Sequence, residues 1–484
     1  MFWIGFGVVL LLNALSIGTM IVLERKNPQS VLSWSLVMIF LPLIGFFLYM
    51  LLGNSLSIKT TRMIARKRIK SKQFKDVIHR QKLDIDSGEL PLRETENKYK
   101  QIIRQNLLMS KCALSQNNKI EIFTDGKEKL KALLNDIENA KKSINISYYI
   151  FATDKIGLTV LDALIKKAEQ GVEVNLLIDS VGSLKSNRKK LKQLVKAGGK
   201  FAEFFPPLFG FRLFNFKLNY RNHRKIVVID NQIAYTGGIN IRADHMGEDK
   251  RLKPWVDMHF RIVGDAVIDL QKLFLSDWRF AYNKKDFEEE DLHKFFELPK
   301  ENGTIGMQVL YSGPDDEEQQ IKKAMIKMIM SAKQSVVLET PYFVPDESFV
   351  EALKIASASG VDVKIITPKL ADKKVVFYTS LSYLRDMVNN DVKVYQREGF
   401  LHSKCLIVDG EICLIGTCNA DIRSFKLNFE DACIVYDENF TSKLCKIVEN
   451  DLNNSVEIDS IWFKKLPRGI KIAKSFYRLF SAIM

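Results

Sequence analysis

Two stretches of the chain carry one arrangement: HRKIVVIDNQIAYTGGIN begins at His223 and HSKCLIVDGEICLIGTCN at His402. In each, the histidine is followed by lysine at the second position, aspartate at the seventh and asparagine at the seventeenth, after a glycine-bearing turn. A chain that repeats such a unit is built from two like halves, and the flanks agree. NAKKSINISYYI (139–150) matches SAKQSVVLETPYF (331–343), and GVEVNLLID from Gly171 matches GVDVKIITP from Gly360. The order is kept while the spacing shrinks, so the halves differ by loop insertions. Short apolar runs alternate with amphipathic runs such as LTVLDALIKKAEQ, which predicts an α/β fold with helices covering a largely buried sheet. IVVID and LIVD suit strands buried on both faces. A pseudo-twofold packing of the halves, an α/β sandwich, would bring both histidines to one cleft.

The chain has six histidines, and two of them meet the same spacing constraint. On a strand, residues i and i+2 share a face, so His223 projects with Lys225 and His402 with Lys404. An imidazole can attack phosphorus or carry a proton near neutral pH. A lysine beside it stabilises charge on the non-bridging oxygens, and Asn240 and Asn419 can donate to the same atoms. A lone histidine on a strand is ordinarily a packed core residue, but a duplicated constellation argues for catalysis. His79, His245, His259 and His293 are read as solvated or packed, with no catalytic role.

The amino terminus shows where this chemistry takes place. Residues 2–23 and 31–53 hold no charge, and each exceeds the roughly 20 residues a helix needs to span a bilayer. They predict a transmembrane hairpin joined by ERKNPQS, although Pro42 and Gly45 leave room for a kinked or re-entrant second segment. Residues 59–82 carry ten Lys/Arg and one acid, Asp76, so the positive-inside rule puts the long carboxy-terminal part in the cytoplasm. The net charge of +15 favours polyanionic partners, and the uncharged runs favour anionic lipid over nucleic acid. Six cysteines without a C-x-x-C pair read as buried free thiols in a reducing compartment. The stretch FFPPLFGFRLFNFKLNY from Phe204 and the tail from Ile470, with Ile472, Phe476 and Leu479 opposite Lys471, Lys474 and Arg478, are candidate membrane contacts.

The two H-x-K-x4-D motifs resemble the paired signatures of the phospholipase D superfamily. With the two apolar runs, ERKNP, FLPLIGFFLYMLLG and the GTCNADIRSFKLNFE segment, the chain resembles bacterial cardiolipin synthases over nearly its whole length. The resemblance implies a membrane enzyme that transfers a phosphatidyl group between two phosphatidylglycerol molecules, with no metal and no other cofactor. It assigns His223 and Lys225 from the first motif and His402 and Lys404 from the second. One histidine becomes the phosphatidyl carrier and the other the acid and base, with His223 favoured as nucleophile. Asp230 and Asp409 take structural roles at the motif ends. Asp257 and Glu430, some thirty residues beyond the histidine of their own half, are assigned to orient the imidazoles. Family members often carry serine where Gly238 and Thr417 stand, and arginine where Val256 stands. The resulting organisation is a hairpin (1–55), a basic and helical connector (56–118), two repeats (119–300 and 301–460) and an amphipathic tail (461–484). A phospholipase D that hydrolyses its intermediate, a nuclease of the same superfamily and a non-catalytic membrane scaffold are the other readings. The intact motifs oppose the last, and the apolar runs oppose the nuclease.

Overall fold

The computed structural model describes residues 72–206, 219–282, 303–315 and 318–479, together with 11–18, 28–42, 44–52 and a few single positions. The first half supplies strands β1 (Ser115–Phe123), β2 (Ser143–Tyr148), β3 (Glu173–Asp179), β4 (Lys200–Phe204), β5 (Ile226–Ile229), β6 (Ile233–Gly237) and β7 (His259–Gly264). The second supplies β8 (Ile305–Ser312), β9 (Ser335–Glu339), β10 (Asp362–Pro368), β11 (Lys393–Arg397), β12 (Cys405–Val408), β13 (Ile412–Gly416), β14 (Asn428–Tyr436) and the edge strand β15 (Ser455–Glu457).

All of them lie in one mixed sheet, in the order β15-β11-β10-β9-β12-β13-β14-β8-β1-β7-β6-β5-β2-β3-β4. Apart from β15, the order from β11 to β8 mirrors that from β4 to β1. The mirror point is the antiparallel pair β1–β8, in which Ser115 faces Met307 and Asn118 faces Ile305. The duplication seen in the sequence is therefore a pseudo-twofold in space.

The matched segments fold alike for matching reasons. Helices Lys155–Glu169 and Glu347–Ala358 cross from β2 to β3 and from β9 to β10. Asp154 caps the first by accepting from the Gly157 N–H, and Asp346 caps the second by accepting from the Phe349 N–H. Gly171 and Gly360 follow at φ +86° and +89°, the left-handed position at which a helix end favours glycine. Both faces of the sheet are covered: β5 and β12 are buried along their whole lengths. The six cysteines are free, and five are buried.

The connector ahead of β1 is more than a spacer. Tyr99, Ile102, Ile103 and Leu107 enter the core of the second half beside Leu310 and Met325.

Residues 31–53 do not form one helix. Pro28–Phe40 and Ile44–Leu52 are separate, because Pro42 lacks the N–H that would continue the first and its ring crowds the preceding turn. The two pieces fold onto each other. The Trp34 and Tyr49 rings meet at 5.5 Å, and a Cβ on Gly45 would lie 2.8 Å from the Met38 backbone. Among the described residues no helix is long and apolar enough to cross a membrane. Most of the run 2–23 and most of the phenylalanine-rich stretch after Phe205 lie outside the described residues.

Candidate active site

His223 and His402 line the same cleft, of about 600 Å³, with Asn240, Asn419 and Tyr149. Neither histidine stands on a strand. His223, Arg224 and Lys225 form a connector between the short strand Arg221–Asn222 and β5, and His402, Ser403 and Lys404 form the equivalent one between Phe400–Leu401 and β12. The expected strand beneath each histidine–lysine pair is therefore a connector, and both lysines stay close enough to act electrostatically on the imidazoles. Each lysine curls back, so that Lys225 Nζ donates to the His223 carbonyl at 2.7 Å and Lys404 Nζ to the His402 carbonyl. Burial lowers both ammonium groups, to about 8 for Lys225 and about 7 for Lys404.

The two short strands carry the main surprise, because each pairs with the opposite half. Arg221–Asn222 runs parallel to Asn428–Phe429, and the His223 N–H donates to the Phe429 carbonyl at 2.9 Å. Phe400–Leu401 runs parallel to Trp255–Val256, and the His402 N–H donates to the Val256 carbonyl at 2.6 Å. The residue after Phe429 is Glu430, and the residue after Val256 is Asp257. Each acid is thus delivered to the histidine of the other half. His223 Nδ1 lies 2.9 Å from Glu430 Oε2, and His402 Nδ1 lies 2.6 Å from Asp257 Oδ2. The sequence reading paired each acid with its own half, and the structure exchanges them.

These contacts fix the tautomer. His223 Nδ1 faces two acceptors, the Glu430 carboxylate and the Thr417 carbonyl at 3.1 Å, so it carries the hydrogen and leaves the Nε2 lone pair free. Burial lowers His223 to about 4 and holds His402 well below its ordinary value, so both imidazoles rest neutral. Burial opposes ionisation of Glu430, but His223, Lys225 and the Thr417 hydroxyl together outweigh that and keep its pKa below the usual carboxylate value. Burial raises Asp257. The two sites are alike in plan and unlike in proton affinity.

Gly238 has a geometric reason. A Cβ there would stand 1.9 Å from Asp257 Oδ1, so the carboxylate that orients His402 occupies the space a serine would need. The second half keeps Thr417, whose hydroxyl pairs with Asp431.

The asparagines are in the cleft wall, and each already has partners. Asn240 Oδ1 accepts from the Ile150 N–H at 3.1 Å, and Asn419 Nδ2 donates to Asp421 at 3.2 Å. Asp230 and Asp409 lie away from the cleft. Asp230 accepts from the N–H groups of Lys141, Lys142 and Ser143, and Asp409 from those of Lys333, Gln334 and Ser335, pinning the turns that enter β2 and β9.

His245, read from the sequence as solvated or packed, is packed, but into the wall of the cleft. It stands on a short 3-10 turn, packs at a tilt against Trp255 at 4.2 Å and meets His402 edge-on at 5.1 Å. Its ring lies 3.9 Å from Asp257. His245, Asp257 and His402 place one ligand atom each within 4.8 Å of one another, which makes them the metal-compatible trio among the described residues. The short Asp257–His402 hydrogen bond already accounts for two of the three, and Lys225 and Lys404 add positive charge nearby. Arg221, Arg242, Arg423 and Lys373 also line the cleft, against Asp244, Asp372 and Asp421. Such a wall suits a phosphodiester anion.

Mirrored halves joined at β1–β8, with twin histidine motifs meeting in one cleft, define the two-repeat phospholipase D class. A family described as "Cardiolipin synthase, PLD-like domain" matches residues 133–253 and 325–452, and one described as "Phospholipase_D-nuclease N-terminal" matches 11–54. A cardiolipin synthase of Oceanobacillus iheyensis is 39% identical over 481 residues, covering 99% of this chain and 98% of that protein. One of Staphylococcus aureus is 40% identical over 486 residues, covering 98% and 95%. The phosphatidylserine synthase of Haemophilus influenzae shares the fold, with a TM-score of 0.59 at 16% identity over 81% of this chain and all of that one. The chain belongs to the cardiolipin synthase family.

Proposed function

We propose that the protein makes cardiolipin by moving a phosphatidyl group from one phosphatidylglycerol to another, through a phosphatidyl-histidine. One observation carries this reading: two neutral imidazoles share a cleft, each held at Nδ1 by the acid of the other half. His223 is the nucleophile. Its Nε2 lone pair attacks phosphorus, the P–O bond to the headgroup glycerol breaks, and His402 gives that oxygen a proton. His402 then takes the hydroxyl proton of a second phosphatidylglycerol. That oxygen attacks phosphorus, the P–N bond breaks, and cardiolipin and glycerol are the products. The ionised Glu430 supports this assignment, since it stabilises positive charge forming on His223. Asp257, raised by burial and 2.6 Å from His402, is matched to a group that trades a proton. A bound phosphodiester anion makes protonation of His402 easier, so the acid is armed by substrate. No step in this sequence calls on a metal.

The protein works at the cytoplasmic face of the bacterial cell membrane, with residues 2–23 and 31–53 inserted in it. The uncharged runs support this, as do outward-facing Leu32, Leu36 and Phe40 on the Pro28–Phe40 helix. The tail helix Arg468–Arg478 adds to the case because it is inverted. Lys474 is buried and Arg478 packs over the Tyr383 ring at 4.9 Å, while Ile472, Phe476 and Leu479 stand 70%, 54% and 70% exposed. Ser481, just beyond, accepts from the Tyr383 hydroxyl at 3.1 Å and lines the cleft. An apolar face beside the cleft mouth suits a lipid surface.

Lipid extraction tests the function. Cells expressing the wild type should gain cardiolipin, and cells expressing His223→Ala should not. Phosphatidic acid in place of cardiolipin would mean hydrolysis, and no new lipid in either would end the proposal.

A further inference from the structure

A second cavity, also of about 600 Å³, lies outside the catalytic cleft. Its walls come from the helix Lys72–Ser87, the turn Asn106–Ser110 and the helix Ala266–Ala281. The size falls in the range of ligand pockets, roughly 300–1,000 Å³. Inside, the wall is apolar: Phe74, Ile78, Leu107, Leu108, Leu273 and Val309 face it. Cations gather at the solvent side, where Lys75, Lys82 and Lys111 are exposed and Lys272 is half-buried over the Phe74 ring at 4.5 Å. Against them stand Asp269, Asp277 and Asp315, and Asp277 is already paired with Arg224 at 2.6 Å. An apolar interior with a cationic mouth matches one chemistry, an amphiphile with an anionic head.

The far wall of the cavity is the back of the catalytic motif. Arg224 and Phe429 both line it, with the guanidinium 5.5 Å from the ring. Arg224 follows His223 in the chain and donates to the Glu430 carbonyl at 3.2 Å. Phe429 accepts the His223 N–H and precedes Glu430. Whatever fills the cavity touches the two residues that seat His223 and its acid. The helix Lys72–Ser87 that forms one side follows the amino-terminal apolar runs in the chain.

We propose that this cavity is a second anionic-phospholipid site, with the phosphate at Lys75, Lys82, Lys111 and Lys272 and one acyl chain reaching toward Phe429. The proposal rests on the reading that the protein works at a phospholipid membrane. Charge complementarity selects an anionic lipid over a neutral apolar occupant: with Asp277 paired to Arg224, the four lysines outnumber Asp269 and Asp315 around an apolar wall.

Photo-crosslinking tests it. The full chain in His402→Ala form, which does not turn its substrate over, is reconstituted in vesicles containing phosphatidylglycerol with a diazirine at the end of one acyl chain. Adducts should map to peptides carrying Leu108 and Leu273 as well as to cleft peptides. Adding Leu273→Trp should cut the cavity adducts at least tenfold and leave the cleft adducts, which also reports that the fold is intact. Lys75→Glu with Lys82→Glu should cut cavity labelling severalfold, while a phosphatidylcholine probe labels the cavity weakly in either form. Cleft adducts without cavity adducts would overturn the proposal. So would equal cavity labelling by both lipids, or an equal loss at cleft and cavity on charge reversal, which would show only general attraction to the vesicle. Because the variant makes no cardiolipin, the outcome is independent of the lipid-extraction test.

Discussion

Replacing Asp257 by asparagine should disable His402 and leave His223 untouched, although Asp257 and His223 share a half. The orientation of the new amide is set in advance. Asp257 Oδ1 accepts from the Met258 N–H at 2.8 Å, so the amide keeps its oxygen there and turns its NH2 toward His402 Nδ1, where Oδ2 stood at 2.6 Å. A donor in that place can be met only by an unprotonated Nδ1. The proton is forced to Nε2, and the imidazole can no longer accept one from the incoming lipid. A tautomer error of this kind typically lowers turnover by about 10²–10⁴-fold, about 3–5 kcal/mol. Glu430→Gln is the mirror experiment. Asn428 Nδ2 donates to Glu430 Oε1 at 3.0 Å, which again fixes the amide oxygen and aims NH2 at the partner histidine, here His223. Nitrogen-15 spectra of histidine-labelled protein in detergent distinguish the ring tautomers directly. In Asp257→Asn the His402 signals should change tautomer and the His223 signals should not, and Glu430→Gln should do the reverse. A change at His223 in Asp257→Asn, or more than a tenth of wild-type turnover in either variant, would refute the crossed assignment.

His223→Ala and His402→Ala should each abolish synthesis, and the double variant should be little worse, since the pair acts as a unit; substantial turnover in either single variant would contradict this. Chelators should leave turnover unchanged, because Asp257 is committed to His402 and the surrounding lysines supply positive charge; loss in EDTA restored by a divalent metal would reverse that reading and point to the His245 trio. Stability should fall as the medium is acidified from about pH 6.5 toward 4. The folded His223 holds a pKa of about 4 against about 6.5 unfolded, so in that window the unfolded chain binds a proton the folded one does not, a loss of about 3 kcal/mol by the lower end. His223→Ala should make the melting temperature fall less steeply over the same range, with His402, His245 and His259, also held down by burial, keeping the remaining slope.

What could be read from the sequence was whatever the duplication wrote twice. Matching intervals from histidine to lysine, aspartate and asparagine exposed both motifs, and GVEVNLLID against GVDVKIITP exposed paired strands before any coordinates. His245 had no such echo. It stands five residues after Asn240, and five after Asn419 the second half has Ser424, so the repeat could not flag it. The break in the second apolar run was legible, since Pro42 and Gly45 already left room for a kink there, and Pro42 acts through one missing N–H that the composition of the run does not register.

The exchange of acids was invisible because it depends on two-residue strands. Arg221–Asn222 and Phe400–Leu401 are too short to show a pattern of their own, and only the pseudo-twofold brings each beside its counterpart's partner. Yet the exchange follows from the duplication once the halves are packed. If each half kept its own acid, two complete histidine–acid pairs could stand apart and the halves would be free to drift. Crossing them makes each imidazole depend on a backbone hydrogen bond and a carboxylate from the other side. The site then exists only when β1 and β8 are joined, and a single half would carry a buried histidine without its acid and a buried acid without its histidine. Leaving a buried charge unpaired is strongly destabilising, so the chemistry and the packing of the halves are held by the same four side chains.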